Sequence, residues 1–323
     1  MQPRAVLLAR SRRRLIVLAV VALAVCLLFM TLGAKGSWSF VLPFRGSKLA
    51  GMLLVAYAIA VSTVLFQTIT NNRILTPSIM GFDALYALIQ TVMVFFLGAQ
   101  ATSAIDPRLL FFVECGAMVL FSCLLYRWLF SGAVRSLHVL MLVGIIFGIL
   151  FRSVSGFLQR VIDPNDFIVL QDRLFASFNS FDTRLLVLAA LMIAAASLAA
   201  WRLFHAFDIL ALGRENAITL GVEHRRVTTQ ILILIAVLVS VSTALVGPVT
   251  FFGLLVASLA YQVMPLGLHR FTLPAAVLAA AISLVGGQLV LERLFAFDTA
   301  VGIVIEFAGG LVFLILLVRG KTR

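Results

Sequence analysis

The chain has 323 residues, 63% of them hydrophobic and 12% charged, with a mean hydropathy of +1.14. A soluble domain carries about 25% charged residues, so this composition excludes a soluble globular fold and leaves a polytopic membrane protein. The apolar runs are continuous rather than alternating, which selects helices over a closed barrel, and the net charge of +12 reads as membrane topology, not as a nucleic-acid surface.

In chain order, a basic tail (1–14, with Arg4, Arg10, Arg12, Arg13 and Arg14) precedes an apolar run over 15–33. That run is longer than the 7–15 residues of a signal-peptide core and lacks its cleavage site, so it reads as a retained first helix. Further spans are predicted at 48–69, 80–98, 108–130, 138–159, 183–204, 228–246, 250–264, 272–294 and 300–318, ten in all. They form one all-α transmembrane domain over 15–319, followed by a short tail, 320–323. With both termini cytoplasmic, 16 of the 25 Lys and Arg fall on the cytoplasmic side and 8 opposite, as the positive-inside rule expects. An odd number of spans would put Arg319, Lys321 and Arg323 outside.

Two loops are more than connectors. The outer loop 160–182 holds Asp163, Pro164, Asp166, Asp172 and Asp182, and is expected to include a short interfacial helix carrying Leu170, Leu174, Phe175 and Phe178. The inner loop 205–227 holds Leu212-Gly213-Arg214-Glu215-Asn216-Ala217-Ile218-Thr219-Leu220-Gly221-Val222, a polar, helix-compatible segment between long apolar runs. Docking a soluble partner is the reason for a membrane protein to hold such a segment at its surface. Gly247-Pro248 precedes the short 250–264 span and predicts a broken helix, tolerated at membrane depth only where backbone is buried in protein or lines a cavity.

Cys26, Cys115 and Cys123 lie singly in apolar runs, and His138, His205, His224 and His269 are scattered with no metal-ligand spacing. Gly320-Lys321-Thr322 imitates the end of a phosphate-binding loop, but Ile315 stands where its first glycine belongs. The chain is therefore expected to bind no cofactor and to be no enzyme. Glu114, Arg152 and Glu306 are the ionisable groups deepest in the spans, and each needs a partner or water. Arg152, near Ser155 and the Gly144-x-x-x-Gly148 pair, suits a water-lined path in which a cation would attract an anionic ligand. The glycine pair otherwise packs helices closely.

Three blocks resemble one family. They are Phe44-Arg45-Gly46-Ser47-Lys48-Leu49 with Gln67 through Thr76-Pro77-Ser78-Ile79-Met80-Gly81; the Leu212–Val222 segment; and Gly247-Pro248-Val249-Thr250-Phe251-Phe252-Gly253-Leu254-Leu255-Val256. From about Arg45 to the C-terminus the chain is similar to the permease subunits of FecCD-type ABC importers for iron–siderophores, relatives of the vitamin B12 permeases. Ala257, Ser258 and Tyr261 depart from the usual Pro-His and Arg, and Gly309-Gly310-Leu311-Val312-Phe313 from the usual Gly-x-Pro-x-Phe. With Asp83 and Tyr86, these departures point away from cobalamin and toward the subgroup importing catechol-containing siderophores through a permease heterodimer.

The resemblance implies ten helices and a bacterial inner-membrane location. It implies a second permease subunit, two ATP-binding subunits that carry the ATP and Mg, a periplasmic or lipoprotein binding protein, and a ferric siderophore as cargo. It makes Leu212, Gly213, Arg214, Glu215, Asn216, Ala217, Leu220 and Gly221 the ATPase-coupling loop. Arg45, Lys48 and Arg293 become the grip on acidic residues of the binding protein, chemistry that suits Arg and carboxylate. The rival reading is a secondary transporter driven by a proton or sodium gradient through Glu114, Glu306 and Arg152.

Overall fold

In lipid a backbone keeps its hydrogen bonds only by closing them on itself, and every regular element among the described residues is helical. The structure, a computed structural model, describes residues 4–33, 37–131, 137–178, 182–294 and 310–311. The expected span at 300–318, with Glu306, therefore lies outside the described residues except for the helical pair Gly310 and Leu311.

Eight helices are long and apolar enough to cross a membrane among the described residues. These include α1 (Arg4–Thr31), α2 (Trp38–Thr70), α3 (Phe82–Ala104), α4 (Pro107–Ser131) and α5 (Leu137–Gln159). A short α6 (Pro164–Leu174) is followed by α7 (Leu186–Arg202), the brief α8 (Phe204–Leu210) and α9 (Arg214–Thr219), and then α10 (His224–Val246). The chain continues through α11 (Phe252–Val263), which is apolar but shorter, to α12 (His269–Leu294).

Two boundaries differ most from the sequence reading. The basic tail is already helix from Arg4, and Arg14 Nη1 donates to the Val263 carbonyl at 2.5 Å, closing an open acceptor at the end of α11. Helix α2 begins at Trp38, not near 48, and runs for 33 residues with Pro43 in its second turn, a length of about 50 Å. Arg45 and Lys48 thus stand on a helix that projects past the membrane core, not in a connection.

Helices α2 and α10 form the centre. In each, 72% of the most apolar stretch is buried, against 11% for α1. Val55, Ala56, Ala60 and Val64 of α2 and Ile231, Ile235, Leu238 and Val241 of α10 are buried in the same core. Small residues on α2 let neighbouring backbones approach closely.

Besides a kink at Gly98 (φ +78°) within α3, two non-helical stretches interrupt the bundle. Before α3 the chain makes a 3-10 turn over Pro77–Met80 and reaches Gly81 at φ +86°. That turn sits on the two glycines of α5. A Cβ at 144 would lie 2.8 Å from Met80 Cα, and one at 148 would lie 3.3 Å from Gly81 Cα. The Gly144-x-x-x-Gly148 pair is therefore a socket within the chain. After α10, Gly247 (φ +93°) turns the chain so closely that a Cβ there would meet Ala176 Cα at 3.2 Å. The Val246 carbonyl freed by the break accepts from Ser177 N at 2.9 Å. Thr250 Oγ1 donates to Asp83 Oδ2 at 3.0 Å, so the two interruptions are tied together.

The outer loop contains α6, whose N-cap Asp163 accepts from Asn165 N at 2.9 Å. Its Leu170 is fully buried with Val94 and Ala99 of α3, and Phe178 joins the main core. Asp182 accepts from Arg184, which holds its carboxyl below the usual carboxylate range.

A methyl group at position 144 has no room. Gly144→Ala is expected to lower the thermal unfolding midpoint of the detergent-solubilised protein, at a cost of about 1–3 kcal/mol for overpacking. Gly116→Ala on α4, where a Cβ meets nothing within 4 Å, is the control and should not destabilise. Equal midpoints for both variants would contradict the socket.

Candidate coupling and docking sites

The Leu212–Val222 segment folds as α9 because two glycines bracket it. Gly213 takes φ +94° and Gly221 φ +83°, backbone angles that glycine adopts at little cost. Asn216 Nδ2 donates to the Leu212 carbonyl at 2.7 Å and Thr219 Oγ1 to the Asn216 carbonyl at 2.9 Å. Ala217, fully buried, pins one side of the short helix to the bundle. The other side presents Arg214, Glu215 and Asn216 to solvent. Around them Leu212, Ile218 and Leu220 are 56%, 51% and 58% exposed. A groove of about 920 Å³ opens beside α9, walled by Arg127, Arg214, Ile218, Val222 and Arg226. Exposed apolar side chains ringed by charge are the composition of a docking surface.

Arg45 and Arg293, separated by 248 positions in the chain, come together around the C-terminus of α1. The last carbonyls of a helix lack intrahelical donors and carry its negative end, and two guanidinium groups close them. Arg45 Nη1 donates to the carbonyls of Phe29 at 2.8 Å and Leu32 at 2.9 Å, and its Nη2 to Gly33 at 3.2 Å. Arg293 Nη2 donates to the Leu32 carbonyl as well.

Lys48 does not stand with them at the surface. Its ammonium is buried and lies 3.2 Å from Glu292 Oε1, which also accepts from Gln288 Nε2 at 2.9 Å. The family resemblance marked Lys48, with Arg45 and Arg293, as a docking position. The unforeseen extension of α2 turns it inward, against a carboxylate on α12 that sequence reasoning did not single out.

Among the groups inside the spans, Glu114 is almost fully buried and accepts from Gln90 Nε2 at 2.5 Å. Arg173 of α6 approaches the other end of Gln90 at 3.5 Å and donates to Ser103 Oγ at 3.0 Å. A cavity of about 380 Å³ lies beside these groups, under α6. Glu114 is thus held by a neutral amide that joins α4 to α3.

The three residues expected to line a path share one face of α5 but differ in exposure. Gly148 and Ser155 are buried, Gly148 in the socket for Gly81, and Ser155 Oγ has no hydrogen-bond partner among the described residues. Arg152 is exposed, and its Nη2 would lie 3.5 Å from a Cβ at 148. Gly148 is therefore a packing residue, and Arg152 is the one member of the set that is exposed.

A bundle of apolar helices with interrupted spans, a short polar helix at one end and a basic cluster at the other is an architecture that suits a membrane permease. Residues 15–319 match the FecCD transport family, and the chain belongs to that family. It is 47% identical over 284 residues to the petrobactin import system permease protein YclO of Bacillus subtilis, covering 88% of this chain and 90% of the relative. It is 37% identical to the petrobactin import system permease protein FatC of Bacillus anthracis, with coverage of 85% and 77%. The ferric enterobactin transport system permease protein FepD of Escherichia coli is 28% identical, with coverage of 88% and 83%. Among solved structures, an inward-facing metal-chelate type ABC transporter superposes with a TM-score of 0.81 at 22% identity, over 95% of this chain and 99% of that one. This last likeness establishes the fold.

Removing one member of a buried ion pair strands the other charge, a loss of about 3–5 kcal/mol, whereas replacing both is close to neutral. Lys48→Ala should therefore sharply lower the thermal unfolding midpoint. Lys48→Met with Glu292→Gln should recover most of the loss. An unchanged midpoint in the single variant would mean that the pair carries no such weight.

Proposed function

We propose that this chain is the permease subunit of an ATP-binding-cassette importer in a bacterial cytoplasmic membrane, and that its cargo is a ferric siderophore containing catechol groups. The observation that carries the reading is α9. A gradient-driven transporter has no use for a glycine-bracketed polar helix with three exposed apolar side chains, whereas an ATPase groove does. The petrobactin and enterobactin permeases among the relatives support the cargo class. In this reading a second permease subunit completes the path, two ATP-binding subunits hydrolyse ATP, and a binding protein delivers the cargo to the opposite end. Arg152 lines the path, where an exposed guanidinium favours passage of an anionic ferric catecholate.

Docking of the binding protein falls to Arg45 and Arg293. Each guanidinium has more N–H donors than α1 occupies, and the spare donors suit carboxylates on a partner. Lys48 and Glu292 hold the platform from beneath.

Coupling is tested by Arg214→Ala with Glu215→Ala in the reconstituted importer. Membrane insertion and docking of the binding protein should persist while uptake falls severalfold. Normal ATPase assembly together with a normal import rate would remove α9 from the coupling role.

Docking is tested by Arg45→Glu with Arg293→Glu, using binding-protein affinity as the readout. Exposed pairs contribute only about 0.2–1 kcal/mol each, so the double reversal should weaken binding by about thirtyfold or less. The loss should shrink as added salt shortens the screening length below ~8 Å. Unchanged affinity at low salt, with the protein still folded, refutes the assignment.

A further inference from the structure

Sequence reasoning left His269 as one of four scattered histidines. The structure places it, buried, at the first turn of α12 and between two other helices. Its ring Nδ1 lies 2.7 Å from Asp208 Oδ1 on α8, and its backbone N–H donates to the same oxygen at 2.8 Å. Its Nε2 lies 2.7 Å from Thr68 Oγ1, in the last turn of α2. An ionised carboxylate only accepts, so the proton on Nδ1 points at Asp208; Thr68 Oγ1, which also donates to the Val64 carbonyl at 2.8 Å, contacts Nε2. The Phe207 ring, buried on α8, sits 5.7 Å from the imidazole. Three helices distant in sequence therefore meet at one side chain.

Position gives this contact its meaning. Only Ala211, Leu212 and Gly213 separate α8 from α9, so displacement of α9 is delivered almost directly to Asp208. On its far side the contact grips α2 and α12 at one end. The same two helices are pinned to each other at their opposite ends by Lys48 and Glu292. From Thr68 back to Arg45 is about 35 Å of helix, close to the ~30 Å thickness of a membrane core. The pair α2 and α12 thus behaves as a strut, fastened at one end to the segment carrying α9 and at the other to the cluster of Arg45 and Arg293.

We propose that Asp208, His269 and Thr68 form the joint through which movement of α9 is passed to α2 and α12, and so to the opposite face. Asp208, His269 and Thr68 are positioning residues and touch neither nucleotide nor cargo. The proposal rests on the reading of α9 as the ATPase-coupling helix.

The test uses the complete importer in proteoliposomes, with ferric petrobactin as the probe. Three quantities are read: ATPase bound per permease, ATP hydrolysed, and siderophore imported per ATP. Asp208→Ala and Thr68→Val should leave the first two near wild type and lower import per ATP by about fivefold or more, as expected for a lost coupling of ordinary size. Asp208→Asn keeps an oxygen acceptor for both His269 donors and should restore the ratio. A merely structural role would lower binding, hydrolysis and import together, and that outcome overturns the joint. So does an unchanged ratio in both Asp208→Ala and Thr68→Val. Should Asp208→Ala fail to assemble, Thr68→Val, which is of nearly equal volume, decides alone. Failure of the underlying reading has a separate signature, because Arg214→Ala with Glu215→Ala would then leave ATPase assembly and import unchanged.

Discussion

A helix that ends leaves its last carbonyls with no intrahelical donor, and they must be satisfied from outside the helix. The architecture of this chain follows from how those ends are closed. The end of α1 is closed by Arg45 and Arg293, from α2 and α12. The end of α11 is closed by Arg14 of α1. The break after α10 is closed by the Ser177 amide from the segment following α6. In each case the donor comes from another element, so satisfying the backbone also fixes which helices are neighbours.

The same economy explains the glycines that matter. Gly81 and Gly247 occupy left-handed backbone conformations where spans are interrupted, and a Cβ on either would come within 3.1–3.2 Å of another backbone. Close approach replaces the side-chain packing that a regular helix would have provided. Thr250 and Asp83 then tie the two interruptions to each other. Non-helical backbone is tolerated here because it is enclosed by protein, as membrane depth requires.

The charged residues divide by role according to depth. Lys48 and Glu292, both buried, neutralise each other and join α2 to α12. Glu114 is bonded by a neutral amide. Arg214, Glu215 and Arg152 remain exposed. Formal charge in the sequence was thus a poor guide to function until burial separated the paired groups from the exposed ones. Lys48 illustrates this, because it is charged and yet buried against Glu292.

The sequence alone determined that the chain is helical and membrane-embedded, because the length and apolarity of its runs admit nothing else. It located the segment that becomes α9, because glycine, charge and short length are local properties, and it marked Gly247-Pro248 as a break for the same reason. It placed Arg45 ahead of the second helix and Lys48 at its edge, because a hydropathy run stops at the first charges whereas a helix carries polar residues past the membrane. Only the tertiary structure decided that Gly144 and Gly148 receive the turn before α3, that Lys48 meets Glu292, and that His269 bridges Asp208 and Thr68. The last three of these side-chain pairings join residues 61 to 244 positions apart. Nothing in the local pattern of either partner encodes such a pairing; it follows from which helices the closed backbone brings side by side.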